Sequence, residues 1–285
     1  PQRPFTTKYL YDVEWNGVLF VAVGEDNTIF SSPDGVAWTD RTPGVAFPRW
    51  HQLNAVVWTG ERWIAAGLYG TILTSEDGSA WVERETNGRE RFLALVWAGD
   101  RAVAIGEENV FTSPDGLVWT EVSDPVSRGA HDAVWTGSRI VAAGYDGRVF
   151  LSRDGVEWSE APTTLPKLGP LAWNGEELLV FGSSLGTPKV TRSPDGIDWV
   201  TADTDDETMR RLHYQPIDVD WIGEEFGYVA VGWSDQILLS LDGVDWIRAN
   251  LGFNQDLYAV IQAGSRTVAV GTFATVVSSY DGVHW

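Results

Sequence analysis

The 285-residue sequence contains no cysteine. Disulfides, thiol nucleophiles and zinc–thiolate sites are therefore excluded, and the redox compartment is left open. Positive charge is scarce. Twenty Lys and Arg stand against 40 Asp and Glu, a formal net charge of −20, and only three of the basic residues are Lys. Such a chain repels nucleic-acid phosphates and anionic membrane surfaces, so neither is an expected partner. No apolar run approaches the ~20 residues of a membrane-spanning helix. No segment carries a sustained 3.6-residue apolar period, so long amphipathic helices are not expected. A Gly-rich phosphate loop and a Gly-x-Ser-x-Gly nucleophile elbow are missing too. What is abundant is tryptophan, with 16 copies, and glycine, with 30, in a chain that is 44% hydrophobic.

Both residues are explained by a repeat. The pattern Ser-x-Asp-Gly-x-x-Trp occurs seven times, beginning at Ser32, Ser75, Ser113, Ser152, Ser193, Ser240 and Ser279. Its aspartates are Asp34, Asp77, Asp115, Asp154, Asp195, Asp242 and Asp281, and its tryptophans recur at intervals of 38 to 47 residues. Each copy sits in a longer unit. A first apolar run ends in Trp-x-Gly, as at Trp15, Trp58 and Trp97, and Trp135, Trp173 and Trp221 continue that column until Gln262 breaks it. A second run ends in Gly, a third enters the box, and a fourth leaves it. Short Val-, Ile-, Phe- and Trp-rich runs bounded by Gly or Asp-Gly read as strands joined by tight turns.

Four strands at a period near 40 residues indicate the blade of a β-propeller, because one small sheet cannot cover both its faces without neighbours. The expectation is an all-β, seven-bladed β-propeller of four-stranded antiparallel blades, one domain over residues 1–285. The blades fall at about 9–42, 52–86, 92–122, 131–161, 168–202, 216–249 and 256–285. Residues 1–8 are expected to lie beside the truncated outer strand of the seventh blade and help close the ring. Within each box the Asp carboxylate suits backbone N–H groups across its turn. The Gly meets a conformation that a Cβ disfavours, and the Trp fills space between blades. These roles are structural.

The box resembles the Asp-box, or BNR, repeat of the sialidase-like propeller superfamily, over essentially the whole chain. The usual form has one more residue between Asp and Gly than is found here. The resemblance implies the propeller fold and an extracellular or periplasmic setting. The superfamily's activities range from sialidases and xyloglucan-cleaving hydrolases to lectins and assembly factors, so function has to be argued from the site. Sialidase chemistry needs an Arg trio, a Tyr–Glu pair and an acid/base Asp. The early Arg-Ile-Pro motif is missing, and no catalytic residue is carried over.

Columns filled alike in every unit serve the scaffold, so departures on one rim are the functional candidates. Trp50 and Trp233 belong to no repeat column. In the family's geometry Trp50 falls in a connection between blades and Trp233 in an inner loop, and both kinds of segment share the rim opposite the boxes. Tyr69, Tyr145 and Phe273 lie in the same inner loops, with the acids Glu25, Asp26, Glu107, Glu108 and Asp146. The connections carry His51, His131, His213, Tyr214, Arg49, Arg89, Arg91, Arg128, Arg210 and Arg211. Aromatic faces stack on sugars, and Arg and carboxylates bond hydroxyls.

The expected ligand-binding set is Trp50, Trp233, Tyr69, Tyr145, Phe273, His51, His213, Arg210 and Arg211. The leading expectation is a non-catalytic recognition module for a carbohydrate or protein, with no metal and no cofactor. A glycan-cleaving hydrolase or lyase on the same rim is the enzymatic alternative. In a lyase, His51, His131, His213 or Tyr214 would act as base, and Arg210 and Arg211 would neutralise a uronate. A scaffold module of a larger protein is the third possibility, to which a chain opening on Pro1 is suited.

Overall fold

Each repeat folds into an antiparallel sheet whose strands follow chain order from the inside outward. The computed structural model describes residues 6–44, 51–86, 89–122, 130–144, 146–161, 163, 166–184, 187–202, 215–249 and 255–285. The inner strands are Leu10–Trp15, Leu53–Trp58, Phe92–Trp97, Ala130–Trp135, Lys167–Trp173, Asp218–Trp221 and Leu257–Ala263. Second strands such as Phe20–Gly24, Trp63–Gly67 and Ile140–Gly144 are buried at every position. They read as continuous apolar runs because both faces of a blade are covered by neighbouring blades. Outer strands such as Thr39–Asp40 and Val82–Arg84 are short, charged and exposed, which suits an open sheet edge.

Seven sheets of this kind form an all-β, seven-bladed propeller. Among the described residues six sheets have four strands. The seventh has three, Leu257–Ala263, Arg266–Gly271 and Val276–Ser279. Its box Trp is Trp285. Of the segment expected to close the ring, residues 1–5 lie outside the described residues. Lys8 reaches blade 7 at the loop between the second and third strands, where its carbonyl accepts the Ala274 N–H at 2.7 Å.

The core is divided into seven clusters, one per blade junction. The junction that closes the circle joins Phe20, Phe30 and Trp38 of blade 1 to Ala259, Val268 and Val270 of blade 7. Box tryptophans wedge these junctions: Trp119 packs with Ala55, Ile64 and Phe92, and Trp246 with Leu179, Phe181 and Tyr228. The box polar groups stay within their own turn. Asp34 Oδ1 accepts the N–H groups of Val36 and Ala37, both at 2.8 Å, and the Ser32 hydroxyl at 3.0 Å. The other six aspartates close their turns the same way. These bonds hold the box carboxylates below their ordinary range; at Asp34 the Ala37 and Val36 amides are the largest cause.

The box glycine answers two constraints at once. All seven have φ between +67° and +79°. Each also lies against the preceding blade; a Cβ on Gly155 would sit 2.5 Å from Val103 Cγ2, and one on Gly35 would sit 2.8 Å from Val268 Cγ2.

Candidate functional site

The rim opposite the boxes is built by the loops between second and third strands, tied to the connections between blades. Leu68 N–H donates to Gln52 O at 2.8 Å, Gly70 N–H to Glu90 O at 2.6 Å, Asp235 N–H to Gln255 O at 2.7 Å and Thr272 N–H to Asp256 O at 3.0 Å. The glycines ending three second strands permit this close approach: a Cβ on Gly24, Gly67 or Gly271 would lie 1.9, 1.7 or 1.9 Å from the carbonyl oxygen of Tyr9, Gln52 or Asp256. The two kinds of segment therefore form one surface.

On that surface Tyr69, Trp233 and Phe273 are 48%, 43% and 45% exposed. Tyr69 and Phe273 occupy equivalent loop positions, and both have left-handed backbone, φ 59° and φ 53°. That conformation costs a residue with a Cβ roughly 1–2 kcal/mol. Bonds through the neighbouring connections hold it in place. His51 stands beside Tyr69, with ring centroids 5.9 Å apart, and its Nδ1 lies 3.1 Å from Thr71 Oγ1. Trp50, Tyr145, His213, Arg210 and Arg211 lie outside the described residues, as do Arg49, Arg128 and Tyr214.

The structure adds residues that the repeat alignment did not single out. Trp233 and Phe273 belong to a larger aromatic cluster with Tyr9, Tyr11 and Tyr258, across blades 6, 7 and 1. Trp233 meets Tyr258 at 5.9 Å and 87°, Phe273 meets Tyr9 at 5.6 Å and 87°, and Tyr11 meets Tyr258 at 5.5 Å. Tyr11 and Tyr258 are each an extra residue in the inner strand, where pairing with the second strand skips a position. The same bulge puts Asn54, Leu93 and His131 at the equivalent place in blades 2, 3 and 4. A bulge redirects the side chain it carries. The signal was available in the sequence: four residues before the Trp column stand Tyr11, Asn54, Leu93, His131, Gly169, Ile217 and Tyr258, a column that mixes aromatic, polar and small residues.

His131 is a structural bridge. Its Nε2–H donates to Gly169 O of the next blade at 3.2 Å, and burial pushes the ring down to about 4, which keeps it neutral. Arg91 pairs with Glu107 at 3.1 Å, and Asp146 with Arg148 at 2.5 Å. The acids expected to face a ligand are thus partly engaged with cations of their own rim.

A second unforeseen feature lies below the rim. Asp12, Asp132 and Asp218 stand three residues before the Trp column, where blades 2, 3 and 7 have Ala. Each carboxylate reaches the inner strand of the following blade. Asp12 Oδ2 accepts Val56 N–H, Asp132 Oδ2 accepts Leu171 N–H and Asp218 Oδ2 accepts Val260 N–H, all at 2.7 Å. Asp220 does the same for Gln262 N–H at 2.8 Å. These bonds satisfy donors on strand edges that face the central channel. Burial pushes Asp12 up to about 7, Glu14 to about 8 and Asp220 to about 6, and raises Asp132; Asp218 rises well above the usual range through burial and then the charge of Asp132. Among the described residues no group of three or more His, Asp or Glu side chains converges to hold a metal ion.

No protein-family model matches the sequence, and no curated protein does. Solved structures do. YCF48 bound to a D1 peptide superposes with a TM-score of 0.78 at 17% identity, over 97% of this chain and 93% of that one. A chain of the mitotic checkpoint complex gives 0.75 at 9% identity, over 95% and 89%. The WD40 β-propeller domain of Doa1 gives 0.70 at 12% identity, over 96% and 93%. At these identities the likeness establishes the fold alone: the chain is a seven-bladed β-propeller.

Proposed function

We propose that this propeller is a recognition module that binds a protein segment on the rim opposite its boxes, with Trp233, Phe273 and Tyr69 as anchors. It is taken as an Asp-box propeller on the strength of its seven turn-closing boxes. One observation carries the proposal: three large aromatic side chains stand about half exposed on one rim, two of them on backbone that disfavours any residue with a Cβ. Local strain of this kind collects at functional sites. Aromatic anchors on a rigid frame are also the usual hot spots of protein interfaces. A similar propeller is bound to a peptide, which is consistent with a peptide on this chain. Perpendicular rings make corners for side chains and offer less flat platform for a sugar ring, so a protein segment is preferred to a glycan.

The test is a displayed peptide library and a glycan array, each probed with the wild type, with Tyr69→Ala/Trp233→Ala/Phe273→Ala, and with Leu241→Arg on the box side. Selected peptides are expected to lose at least about tenfold in affinity to the triple variant, the scale of a hot-spot truncation, and nothing to Leu241→Arg. Peptide binding indifferent to the triple variant overturns the choice of rim. Glycans bound in place of peptides overturn the choice of ligand.

A further inference from the structure

The aromatic cluster of blades 6, 7 and 1 has the geometry of a box more than of a patch. Tyr258 stands in its bulge with Tyr11 at 5.5 Å, Tyr9 at 6.2 Å and Trp233 at 5.9 Å. Trp233 is perpendicular to Tyr258, and Phe273 to Tyr9, both at 87°. Trp233 and Phe273 are exposed and the three tyrosines half-buried, so the cluster opens to solvent at the rim.

Carboxylates surround it. Asp256 Oδ1 accepts Ser234 N–H at 2.8 Å beside Trp233, and Glu25 Oε2 accepts Tyr9 N–H at 3.4 Å. Among the described residues, Lys8 pairs with Asp26 and Arg248 with Asp235. The field at the rings is negative. After burial, Glu25 raises the Tyr11 hydroxyl, and Asp256 helps push that of Tyr258 up to about 12. An apolar occupant would strip water from these carboxylates without replacing it, which is costly. A cation replaces it, and aromatic faces attract cations through their quadrupole. The formal charge of −20 draws a basic partner over longer range.

We propose that the box formed by Trp233, Tyr258, Tyr9, Tyr11 and Phe273 takes the cationic side chain of an Arg or Lys from a basic protein segment, with Glu25 and Asp256 as counter-charges. This deepens the reading of the rim as a protein-binding surface and rests on it.

Fluorescence anisotropy with labelled octapeptides tests it. The probes alternate Ser with Arg, with Glu or with Leu, at 0.05 and 0.5 M salt. The Arg peptide is expected to bind best. Trp233→Leu keeps apolar bulk but no ring face, and should weaken that peptide about tenfold at both salt concentrations, while Trp233→Phe stays within about threefold of the wild type. Thermal melting of each variant checks the fold, which an exposed side chain should not disturb. Three results overturn the inference: tighter binding of the Leu or Glu peptide, equal Arg-peptide binding by Trp233→Leu, and Arg-peptide binding that vanishes at 0.5 M salt whatever stands at 233. The last marks plain attraction to an acidic surface. A Leu peptide that binds tightest and is lost in the rim triple variant removes the cation box but leaves the rim reading standing. Loss of the rim reading itself is scored by the library experiment, which assumes no charge on the ligand.

Discussion

A single glycine shows how tightly the ring is specified. Gly155 combines φ +71° with a contact that would place a Cβ 2.5 Å from Val103. Gly155→Ala incurs the left-handed cost of roughly 1–2 kcal/mol and an overpacking cost of about 1–3 kcal/mol. A loss of about 2–5 kcal/mol in denaturant-unfolding stability is expected, and a loss under 1 kcal/mol would contradict this account of the box. Tyr69 makes the opposite case. Its strain is not needed for folding, so Tyr69→Gly should leave the melting temperature unchanged or slightly raised. Relief of φ 59° offsets the extra freedom of glycine in the unfolded chain. The same variant should weaken rim binding. A clear drop in melting temperature would mean that Tyr69 is a structural residue, held through His51.

At the scale of the strand, the inner edges decide how blades are joined. Asp218 accepts Val219 N–H with one oxygen and Val260 N–H with the other. Asp218→Ala leaves buried donors without a partner on two blades, at a cost of roughly 1–3 kcal/mol for each group. Hydrogen exchange at Val260 should accelerate, and the melting temperature should fall by several degrees. Asp218→Asn keeps one acceptor oxygen for the two donors, so it should lose roughly half as much. Equal losses in the two variants would show that the bridge contributes nothing beyond the volume it fills. The bulges belong to this scale as well. They interrupt pairing at one position of the inner strand and, in the same step, deliver Tyr11 and Tyr258 to the rim.

The whole molecule holds two sets of carboxylates whose protonation acts in opposite directions on stability. The channel acids Asp12, Glu14, Asp132, Asp218 and Asp220 are raised by folding. The folded chain therefore holds those protons more tightly. Their contribution is fully present below the ordinary carboxylate range of about 4 and is lost as pH rises through about 6 to 8. The box aspartates, such as Asp34 and Asp77, are lowered by their turn amides. Their contribution is present above the ordinary range and lost as pH falls through the lowered values. Calorimetry from pH 3 to 9 should find the highest melting temperature in mildly acid solution, with a decline on each side. Asp12→Asn/Asp218→Asn should flatten the neutral-to-alkaline decline and leave the acid limb unchanged. A stability that still rises from pH 6 to 8 would contradict the channel assignment.

From the sequence alone came the blade count, the strand order and the roles of Ser, Asp, Gly and Trp in the box. The Ser and Asp roles rest on contacts within a few residues, such as Asp34 with Val36 and Ala37, and the Gly and Trp roles show because the same turn recurs seven times. The sharing of one rim by inner loops and connections came from the resemblance to Asp-box propellers, and the bonds from Leu68 to Gln52 and from Thr272 to Asp256 join those segments in the structure. The tertiary structure decided what no local pattern contains. Ring closure sets Tyr9 and Tyr11 against Tyr258 and Phe273, from opposite ends of the chain, and makes an aromatic box of them. It also encloses five acids in one channel, where lost hydration and mutual repulsion raise their affinity for protons. Turn chemistry is local, so the repeat displays it; the aromatic cluster is made of contacts between blades, and those exist only once the circle is shut.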